Sequence, residues 1–192
     1  ILRMTKRLFL DLETTGLPLE RNVHYSVYDN FPHIVQLGYE YYVGKELKEK
    51  RKELISCERI DTGATRVHGI TAEMSQQEGR MEREVLGEIY EIIKETDVVI
   101  AHNIEFDMNI LYANFVRNDF DTNCIDNVST YCTMLKGTDI CKLPGRFDDY
   151  KYPKLTELYK ELFNKEVKEK HDALYDVKLM RRCYLEIIRR QL

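Results

Sequence analysis

The sequence predicts an α/β domain in which helices pack against the faces of a mixed β-sheet. The order of its segments predicts this class: three strand-like segments come first, helix-like and strand-like segments then alternate, and helices close the chain. Apolar residues make up 43% and charged residues 32% of the 192 residues, a composition typical of globular proteins. Since a domain has about 100–200 residues, we expect a single domain over residues 1–192.

Apolar runs bounded by polar or turn-forming residues predict the strands. Residues 7–11 predict a short buried strand, and residues 34–43 predict a second that is rich in tyrosine. A third strand at 53–60 would pair with the second across a charged, solvated hairpin tip at 44–52. Two further strands are expected at residues 97–101 and 125–130.

Apolar residues that recur every three or four positions predict the helices. In residues 82–95 they fall at positions 85, 86, 89, 92 and 93. Similar spacing predicts helices at 105–116, from about residue 131, at 154–163 and at 173–190. The stretches 17–33 and 137–153 lack periodicity, and loops of this length in a domain are usually functional or mobile.

The first candidate site segment is Asp11-Leu12-Glu13, at the end of the first strand. Residues two apart in a strand point to the same face, so the carboxylates of Asp11 and Glu13 would lie side by side. Ligand sites of open α/β sheets lie at the carboxyl ends of strands. Two adjacent like charges are tolerable there if water solvates them or if a cation lies between them, and this segment alone leaves both interpretations open.

The second segment joins a buried strand to a helix at residues 101–107. Asn103 suits the N-cap of that helix, and Asp107 lies one turn inside it. Three of the four neighbours of Asp107 on the helix surface are apolar, so its carboxylate should point toward the core. Burying an unpaired carboxylate costs several kcal/mol, which a metal ion would offset. An aspartate held at the core margin by backbone donors is the alternative.

The third segment is His171 to Asp176, at the start of the last helix. Asp172 is a plausible N-cap, which places His171 on the preceding loop, where an imidazole suits proton transfer. Asp176 lies one turn inside the helix and again faces apolar neighbours. The alternative for His171 is a surface or capping histidine.

Together the three segments supply four carboxylates and one imidazole. Oxygen ligands of this kind select Mg²⁺ or Mn²⁺. Two such ions about 4 Å apart can hold both the attacking and the leaving oxygen of a phosphodiester. The combination therefore predicts two divalent ions and phosphodiester chemistry.

The same segments resemble the three exonuclease motifs of the DEDDh family. They read Asp-Leu-Glu-Thr-Thr-Gly at 11–16, His-Asn-x-x-Phe-Asp at 102–107 and His-x-Ala-x-x-Asp at 171–176. Val-His-Gly-Ile-Thr at 67–71 is similar to a further segment of these enzymes, and the resemblance covers about residues 6–188. The family includes the proofreading epsilon subunit of bacterial DNA polymerase III and stand-alone relatives.

The resemblance also distinguishes two classes. The sister class carries a tyrosine four residues before the last aspartate. In this chain that position is Asp172, and a histidine, His171, stands five before Asp176, which favours the histidine class.

The resemblance implies a fold and a set of roles. The fold would be the ribonuclease H-like exonuclease fold, a five-stranded mixed sheet flanked by helices. Asp11, Glu13 and Asp176 would bind the catalytic metal, Asp11 would also reach a second ion, and Asp107 would act mainly through metal-bound water. His171 would accept a proton from the attacking water in 3′→5′ hydrolysis that releases nucleoside 5′-monophosphates.

Substrate contacts are implied by the same resemblance. The terminal nucleotide would be held by Leu12, Thr14, Thr15 and Asn103, with Leu17 and Val67 packing on its base. Apolar residues at these places are equally compatible with a core role. The basic and aromatic stretch 142–154 could contact the strand backbone, and His68 is either structural or a phosphate contact.

Charge and cysteine usage limit the partners. The net charge of −4 argues against a general basic surface for nucleic acid, although residues 142–192 carry 13 basic against 9 acidic residues. Five cysteines without CxxC spacing, and a start without the apolar core of a signal peptide, favour a reducing cytoplasmic location. No apolar run reaches the length that a membrane helix needs.

Three functional hypotheses follow. The leading one is a metal-dependent exonuclease on single-stranded 3′ ends of DNA, which is favoured, or RNA. The second is a polymerase-associated proofreading or scaffolding module whose main role is to bind a DNA polymerase. The third treats the acidic residues as solvated surface and predicts no binding of Mg²⁺ or Mn²⁺. Oligomeric state is not predicted.

Overall fold

The computed structural model describes residues 3–20, 22–147 and 149–191, which form five strands and eight α-helices. The strands are β1 (Lys6–Thr14), β2 (Ile34–Val43), β3 (Glu46–Leu54), β4 (Val98–Ala101) and β5 (Ser129–Cys132). The helices are α1 (Thr62–His68), α2 (Ala72–Glu78), α3 (Glu82–Glu95), α4 (Ile104–Arg117), α5 (Asn123–Asn127), α6 (Thr133–Cys141), α7 (Leu155–Phe163) and α8 (Ala173–Arg190). None of the described helices is both long and apolar enough to cross a bilayer.

The strands form one mixed sheet in the order β3-β2-β1-β4-β5. β1 and β2 pair antiparallel although a long connection joins them, and β2 and β3 pair antiparallel across a two-residue hairpin turn. β4 pairs parallel with β1, and β5 pairs parallel with β4, so helical crossovers connect this half of the sheet. The predicted mixed α/β sheet is confirmed.

Alternation along β1 directs its side chains into two separate apolar layers. Leu8 and Leu10 lie in the larger core, to which α3 and α4 contribute. Phe9 points to the other face and packs with Val177 and Met180 of α8. Because α8 lies across β1 and β2, the face of the sheet that bears Phe9 is covered by the last helix.

The third strand differs from the prediction. We expected it at 53–60 after an exposed tip at 44–52, but β3 spans Glu46–Leu54 and pairs with β2 along its length. Its charged side chains extend into solvent from an edge strand, and Lys50 Nζ lies 3.8 Å from Glu40 Oε1 on β2. The backbone pairing outweighs the polarity of the segment, which is why hydrophobic periodicity missed it.

Other element boundaries were also wrong. The strand expected at 125–130 is a short helix, α5, followed by β5, and α6 begins at Thr133 instead of about residue 131. α1 and α2 were not predicted because both are short and bury almost no apolar side chain. By contrast, seven elements lie within a few residues of their predicted positions, namely β1, β2, α3, β4, α4, α7 and α8.

Only one of the two long stretches that lack periodicity is a loop throughout its described residues. The described residues of this first stretch, 17–20 and 22–33, form a loop, as expected, apart from a 3₁₀ turn at Tyr28–Asn30. Asn30 exchanges two hydrogen bonds with the backbone of Glu20, at 2.8 and 3.1 Å, and the Arg117 guanidinium donates to carbonyl groups of this loop. Residues 137–153 are only partly a loop, because α6 continues to Cys141.

Candidate active site

β1 extends beyond its neighbour β4, and this overhang carries Asp11 and Glu13. The last pair between the two strands is Phe9↔Ile100, whereas β1 continues to Thr14. Asp11 and Glu13 alternate with core leucines and therefore share the face of Phe9, which α8 covers. The two carboxylates thus lie at the carboxyl end of a central strand, beneath the start of the last helix.

Asp107 approaches the same place from the first turn of α4. It is buried, with 3% of the residue exposed, so its carboxylate faces inward as its apolar neighbours predict. The backbone N–H groups of Leu12 and Asp107 itself are directed at this carboxylate. Asn103 occupies the N-cap position of α4 with a left-handed backbone (φ 76°), but its side chain makes no capping hydrogen bond. The capping role expected of its side chain is therefore wrong.

The start of α8 is fixed by its own N-cap and by contacts from two strands. Asp172 caps the helix as predicted, since its Oδ1 accepts the Tyr175 N–H at 2.9 Å, and its Oδ2 accepts from Lys52 Nζ at 2.8 Å. Gln36 Oε1 on β2 accepts the Ala173 N–H at 2.9 Å. These bonds tie the helix that carries Asp176 to β2 and β3.

Gly38 on β2 permits this close approach, because a Cβ there would lie 2.5 Å from the Ala173 carbonyl carbon and 2.6 Å from the Leu174 nitrogen. We expect Gly38→Ala to displace the start of α8, and with it Asp176 and His171. A displacement of about 1 Å at a reacting group can cost about 10²-fold in rate, so the turnover of a reaction at this site should fall by about that factor. Single-turnover kinetics measure the change.

Gly63→Ala is the matched control, because nothing lies within 4 Å of a Cβ at this position of α1. Gln36→Leu is a second test, since it removes the acceptor for the Ala173 N–H without adding volume near the backbone. Normal turnover in both Gly38→Ala and Gln36→Leu would show that α8 does not need this seating.

The carboxylates converge with His171 at one point. One ligand atom each from Glu13, His171 and Asp176 lies within 4.8 Å of the others. Burial, together with the negative charges of Asp176 and Asp172, raises the pKa of Glu13 to about 7. Burial and the charges of Asp172 and Glu169 raise the pKa of Asp176 to about 6.

Asp11 and Asp107 complete the group from its buried side. Burial raises the pKa of Asp11 well above its usual value, and the charges of Asp107, Asp176 and Glu13 raise it further. Burial also raises the pKa of Asp107 well above normal, although the backbone N–H groups beside it oppose the rise. Four mutually repelling carboxylates in one place destabilise the charged form of the site unless positive charge is supplied.

These pKa directions predict how stability depends on pH and metal. A carboxylate whose pKa is raised by folding adds to the free energy of unfolding at low pH. This contribution is lost as pH rises through the folded-state pKa. Below about pH 6.5 the lowered pKa values of His68 and His102 act in the opposite direction. Above about pH 7.5 the raised pKa values of cysteine thiols such as Cys57 and Cys183 act in the same direction as the carboxylates, so the window that reports the carboxylates is about pH 6.5–7.5. In EDTA, the melting temperature should fall across this window, and Mg²⁺ or Mn²⁺ should remove most of that fall. A metal-free melting temperature that is constant or rises from about pH 6.5 to 7.5 would contradict the carboxylate repulsion.

His171 lies just before α8 with a left-handed backbone (φ 48°) and a side chain that is 39% exposed. Its Nε2 is 3.6 Å from Glu169 Oε1, beyond hydrogen-bonding distance. Lys154 Nζ holds the Glu169 carboxylate at 3.1 Å. The imidazole therefore borders the carboxylates while remaining accessible from solvent.

His68 supports the turn that follows Glu13, a role that the sequence left open. Its Nδ1 accepts the Ile70 N–H at 3.0 Å, so Nε2 carries the proton and donates to the Thr14 carbonyl at 3.3 Å. Burial lowers the pKa of His68, and the charge of nearby His171 lowers it further. No signal in the sequence separates this structural contact from a phosphate contact.

The residues expected to contact substrate fall into two groups. Leu12 and Thr14 are buried, and the Thr14 hydroxyl donates to the Gly16 carbonyl at 2.6 Å, so only their backbone can face a ligand. Leu17 and Val67 are exposed, at 77% and 52%. Leu17 shares a pocket of about 470 Å³ with Asn103.

A larger pocket of about 610 Å³ shares Leu17 and Phe31 with the first one. It is also bordered by other residues of the loop 29–33, by residues around Cys57 and Arg59, and by Thr15. The Thr15 N–H donates to the His33 carbonyl at 2.9 Å, which ties the turn to this loop. None of the four carboxylates lines this pocket, so it is separate from the cluster.

Comparisons with known proteins are consistent with this arrangement. The model of the family described as Exonuclease (RNase_T) matches residues 8–184. A PolC-type DNA polymerase III from Latilactobacillus sakei subsp. sakei (strain 23K) is 30% identical over 162 residues, which are 83% of this chain and 10% of the polymerase.

Solved structures share the fold. E. coli exonuclease I in complex with a dA16 oligonucleotide matches with a TM-score of 0.77 and 19% identity, over 97% of this chain and 41% of that one. A zinc-bound complex of the same enzyme with single-stranded DNA matches with a TM-score of 0.75 and 19% identity, over 98% and 41%. This chain therefore spans about two fifths of exonuclease I and a tenth of the polymerase. The likeness to these structures confirms the ribonuclease H-like fold. Because the family model matches most of its length, the chain belongs to the RNase_T exonuclease family, within the DEDD group of 3′→5′ exonucleases.

Proposed function

We propose that this chain is a metal-dependent 3′→5′ exonuclease that hydrolyses single-stranded 3′ ends to nucleoside 5′-monophosphates, with DNA favoured and RNA a second substrate. The proposal depends on one observation, the convergence of five groups from separate parts of the chain. Asp11 and Glu13 come from β1, Asp107 from α4, and His171 and Asp176 from the start of α8. The set supplies metal ligands and a proton acceptor, and it needs no serine or cysteine nucleophile.

The donor set fits two divalent ions, and we propose Mg²⁺ or Mn²⁺. Among the described residues, no lysine or arginine forms an ion pair with any of the four carboxylates. Burial raises the pKa of each carboxylate, and their negative charge is left without a positive partner among these residues. Hard oxygen donors of this kind suit these ions. Asp11, Glu13 and Asp176 would hold one ion, Asp11 would reach the second, and Asp107 would act mainly through water. When bound, the ions supply the positive charge that activates water and stabilises the leaving oxygen.

His171 is the proposed proton acceptor. It lies within 4.8 Å of Glu13 and Asp176, where the attacking water would be held, and its exposure lets the proton leave to solvent. Asp172, at the position of the tyrosine in the sister class, is engaged with the Tyr175 N–H and Lys52 Nζ. We therefore assign the chain to the DEDDh type.

The proposed substrate contacts follow from exposure and place. Backbone groups of Leu12, Thr14 and Thr15 and the exposed Asn103 would hold the terminal nucleotide, with Leu17 and Val67 against its base. The exonuclease I complexes with dA16 and with single-stranded DNA support a single-stranded substrate. We treat residues 1–192 as one exonuclease domain that acts in the cytoplasm.

The decisive experiment uses 5′-labelled single-stranded DNA and RNA oligomers with Mn²⁺, with Mg²⁺ and with EDTA. A metal-dependent ladder that shortens from the 3′ end, together with nucleoside 5′-monophosphate products, is the expected result. The faster oligomer identifies the preferred sugar. Failure to shorten either oligomer, by protein that binds Mn²⁺ in calorimetry, would count against an autonomous exonuclease.

The PolC-type relative favours a second role, association with a DNA polymerase. In that role the chain would remove mismatched primer ends during synthesis. Co-purification with a replicative polymerase, and faster excision of a mismatched than of a matched primer end in its presence, would support it. An unchanged mismatch preference with and without polymerase would oppose it.

A further inference from the structure

The loop between α6 and α7 carries exposed aromatic side chains that the proposed catalytic group does not use. Phe147, Tyr150 and Tyr152 are exposed at 79%, 50% and 61%. The segment is folded on itself, because the Gly145 N–H donates to the Asp149 carbonyl at 2.8 Å and the Lys151 N–H to the Leu143 carbonyl at 3.0 Å. We call the described residues of this segment, 143–147 and 149–152, the aromatic hairpin.

Two sets of contacts hold the base of the aromatic hairpin beside the candidate active site. His102, which directly precedes Asn103, donates from Nε2 to the Pro153 carbonyl at 2.9 Å. Lys154 Nζ binds Glu169, whose Oε1 lies 3.6 Å from His171 Nε2. Since consecutive Cα atoms are about 3.8 Å apart, the Cα of Tyr152 lies about 3.8 Å from that of Pro153 and at most about 7.6 Å from that of Lys154.

The chemistry of the aromatic hairpin suits a single-stranded polyanion. Residues 142–154 contain four basic residues against two acidic ones, in a chain with a net charge of −4. The Arg146 guanidinium lies 5.8 Å from the centre of the Phe147 ring, so a cation stands next to an exposed aromatic face. Surfaces that bind single strands combine these elements, rings for the bases and cations for the phosphates, whereas the centres of protein interfaces are depleted in lysine.

We propose that the aromatic hairpin binds unpaired nucleotides of the strand on the 5′ side of the cleaved end, with Phe147, Tyr150 and Tyr152 stacking on bases. The assignment rests on the proposed exonuclease function for its ligand class. It gives the enzyme a way to hold a long strand outside the acidic cluster, where phosphates are repelled when metal is absent. Because every base has an aromatic face, this contact adds affinity without sequence preference.

The test compares binding with chemistry. The double variant Phe147→Ala/Tyr152→Ala removes two rings, and Phe147→Tyr/Tyr152→Phe keeps both rings as the matched control. Fluorescence anisotropy with a labelled oligothymidylate in EDTA measures Kd without cleavage. A stacked base contributes about 5- to 100-fold in affinity, so we expect a loss of at least about 10-fold in the alanine variant and wild-type affinity in the control.

Hydrolysis of the p-nitrophenyl ester of thymidine 5′-monophosphate with Mn²⁺ separates this proposal from the proposed function, because that ester has no upstream nucleotides. We expect the alanine variant to hydrolyse it at the wild-type rate.

Equal Kd values for the wild type and the alanine variant would overturn the proposal and favour a protein partner for the hairpin. Loss of ester hydrolysis in the variant would also overturn it, by showing that the hairpin only supports the catalytic group. If the wild type leaves the ester intact, the exonuclease function fails, while the Kd comparison still decides the hairpin.

Discussion

Asp107→Asn should abolish exonuclease turnover and, in the same protein, raise the thermal stability of the metal-free chain. Removal of a group that merely supports a metal ligand costs about 10–100-fold in activity or metal affinity. Loss of a carboxylate from the cluster itself should therefore lower the rate by about 10³-fold or more. Asp11→Ala, Glu13→Ala, Asp107→Ala and Asp176→Ala should have the same effect without unfolding the protein. Rates of 3′-end shortening with saturating Mn²⁺ measure the loss.

The stability gain has a separate physical cause. Asp107 is buried next to Asp11 and Glu13, and burial raises its pKa well above the usual value. Above the usual pKa of an aspartate, the folded chain must either hold a proton on this carboxyl group or ionise it in an unfavourable place. The neutral amide of asparagine avoids both costs with almost the same side-chain volume. The melting temperature of Asp107→Asn in EDTA should therefore exceed that of the wild type at about pH 8.

Asp119→Asn is the matched control for both effects. The Asp119 side chain is 90% exposed, and asparagine tolerates its left-handed backbone (φ 59°). We expect wild-type turnover and an unchanged melting temperature. If Asp107→Asn retained more than about a tenth of wild-type turnover, Asp107 would lie outside the metal-binding group. A lower melting temperature in EDTA would show instead that its carboxylate is satisfied by the backbone.

Periodicity along the chain predicted the parts of the site that depend on local geometry. Alternation in β1 places Asp11 and Glu13 on one face, and helical spacing turns Asp107 and Asp176 inward, as the structure shows. The N-cap at Asp172 was equally predictable, since short polar side chains satisfy the first N–H groups of a helix. These features depend on residues within one turn or one pleat of each other.

The contacts that hold the cluster together could not be predicted in the same way. Gln36 and Gly38 on β2 and Lys52 on β3 seat the start of α8 across more than a hundred residues of sequence. Nothing in the local pattern of either strand indicates a helix partner, and the charges of β3 even suggested a solvated turn. His68 is a similar case, because its partner is a backbone carbonyl, Thr14, that carries no sequence signal.

His171→Asn should slow the chemical step by about 10²- to 10⁴-fold and leave metal binding nearly unchanged. Asparagine is chosen because His171 has a left-handed backbone (φ 48°), which asparagine adopts more readily than alanine. The variant keeps the loop conformation and loses only the proton acceptor. Single-turnover rates measure the chemical step, and calorimetric titration with Mn²⁺ measures metal affinity.

His24→Asn is the control for a histidine replaced on an exposed loop, since the recorded partners of the His24 imidazole are its own loop neighbours, the Ser26 hydroxyl and the Tyr25 ring. Added imidazole should restore part of the turnover of His171→Asn and none in Asp107→Asn, because a small base can replace a proton acceptor but not a carboxylate of the metal-binding group. Full activity of His171→Asn would remove His171 from the mechanism.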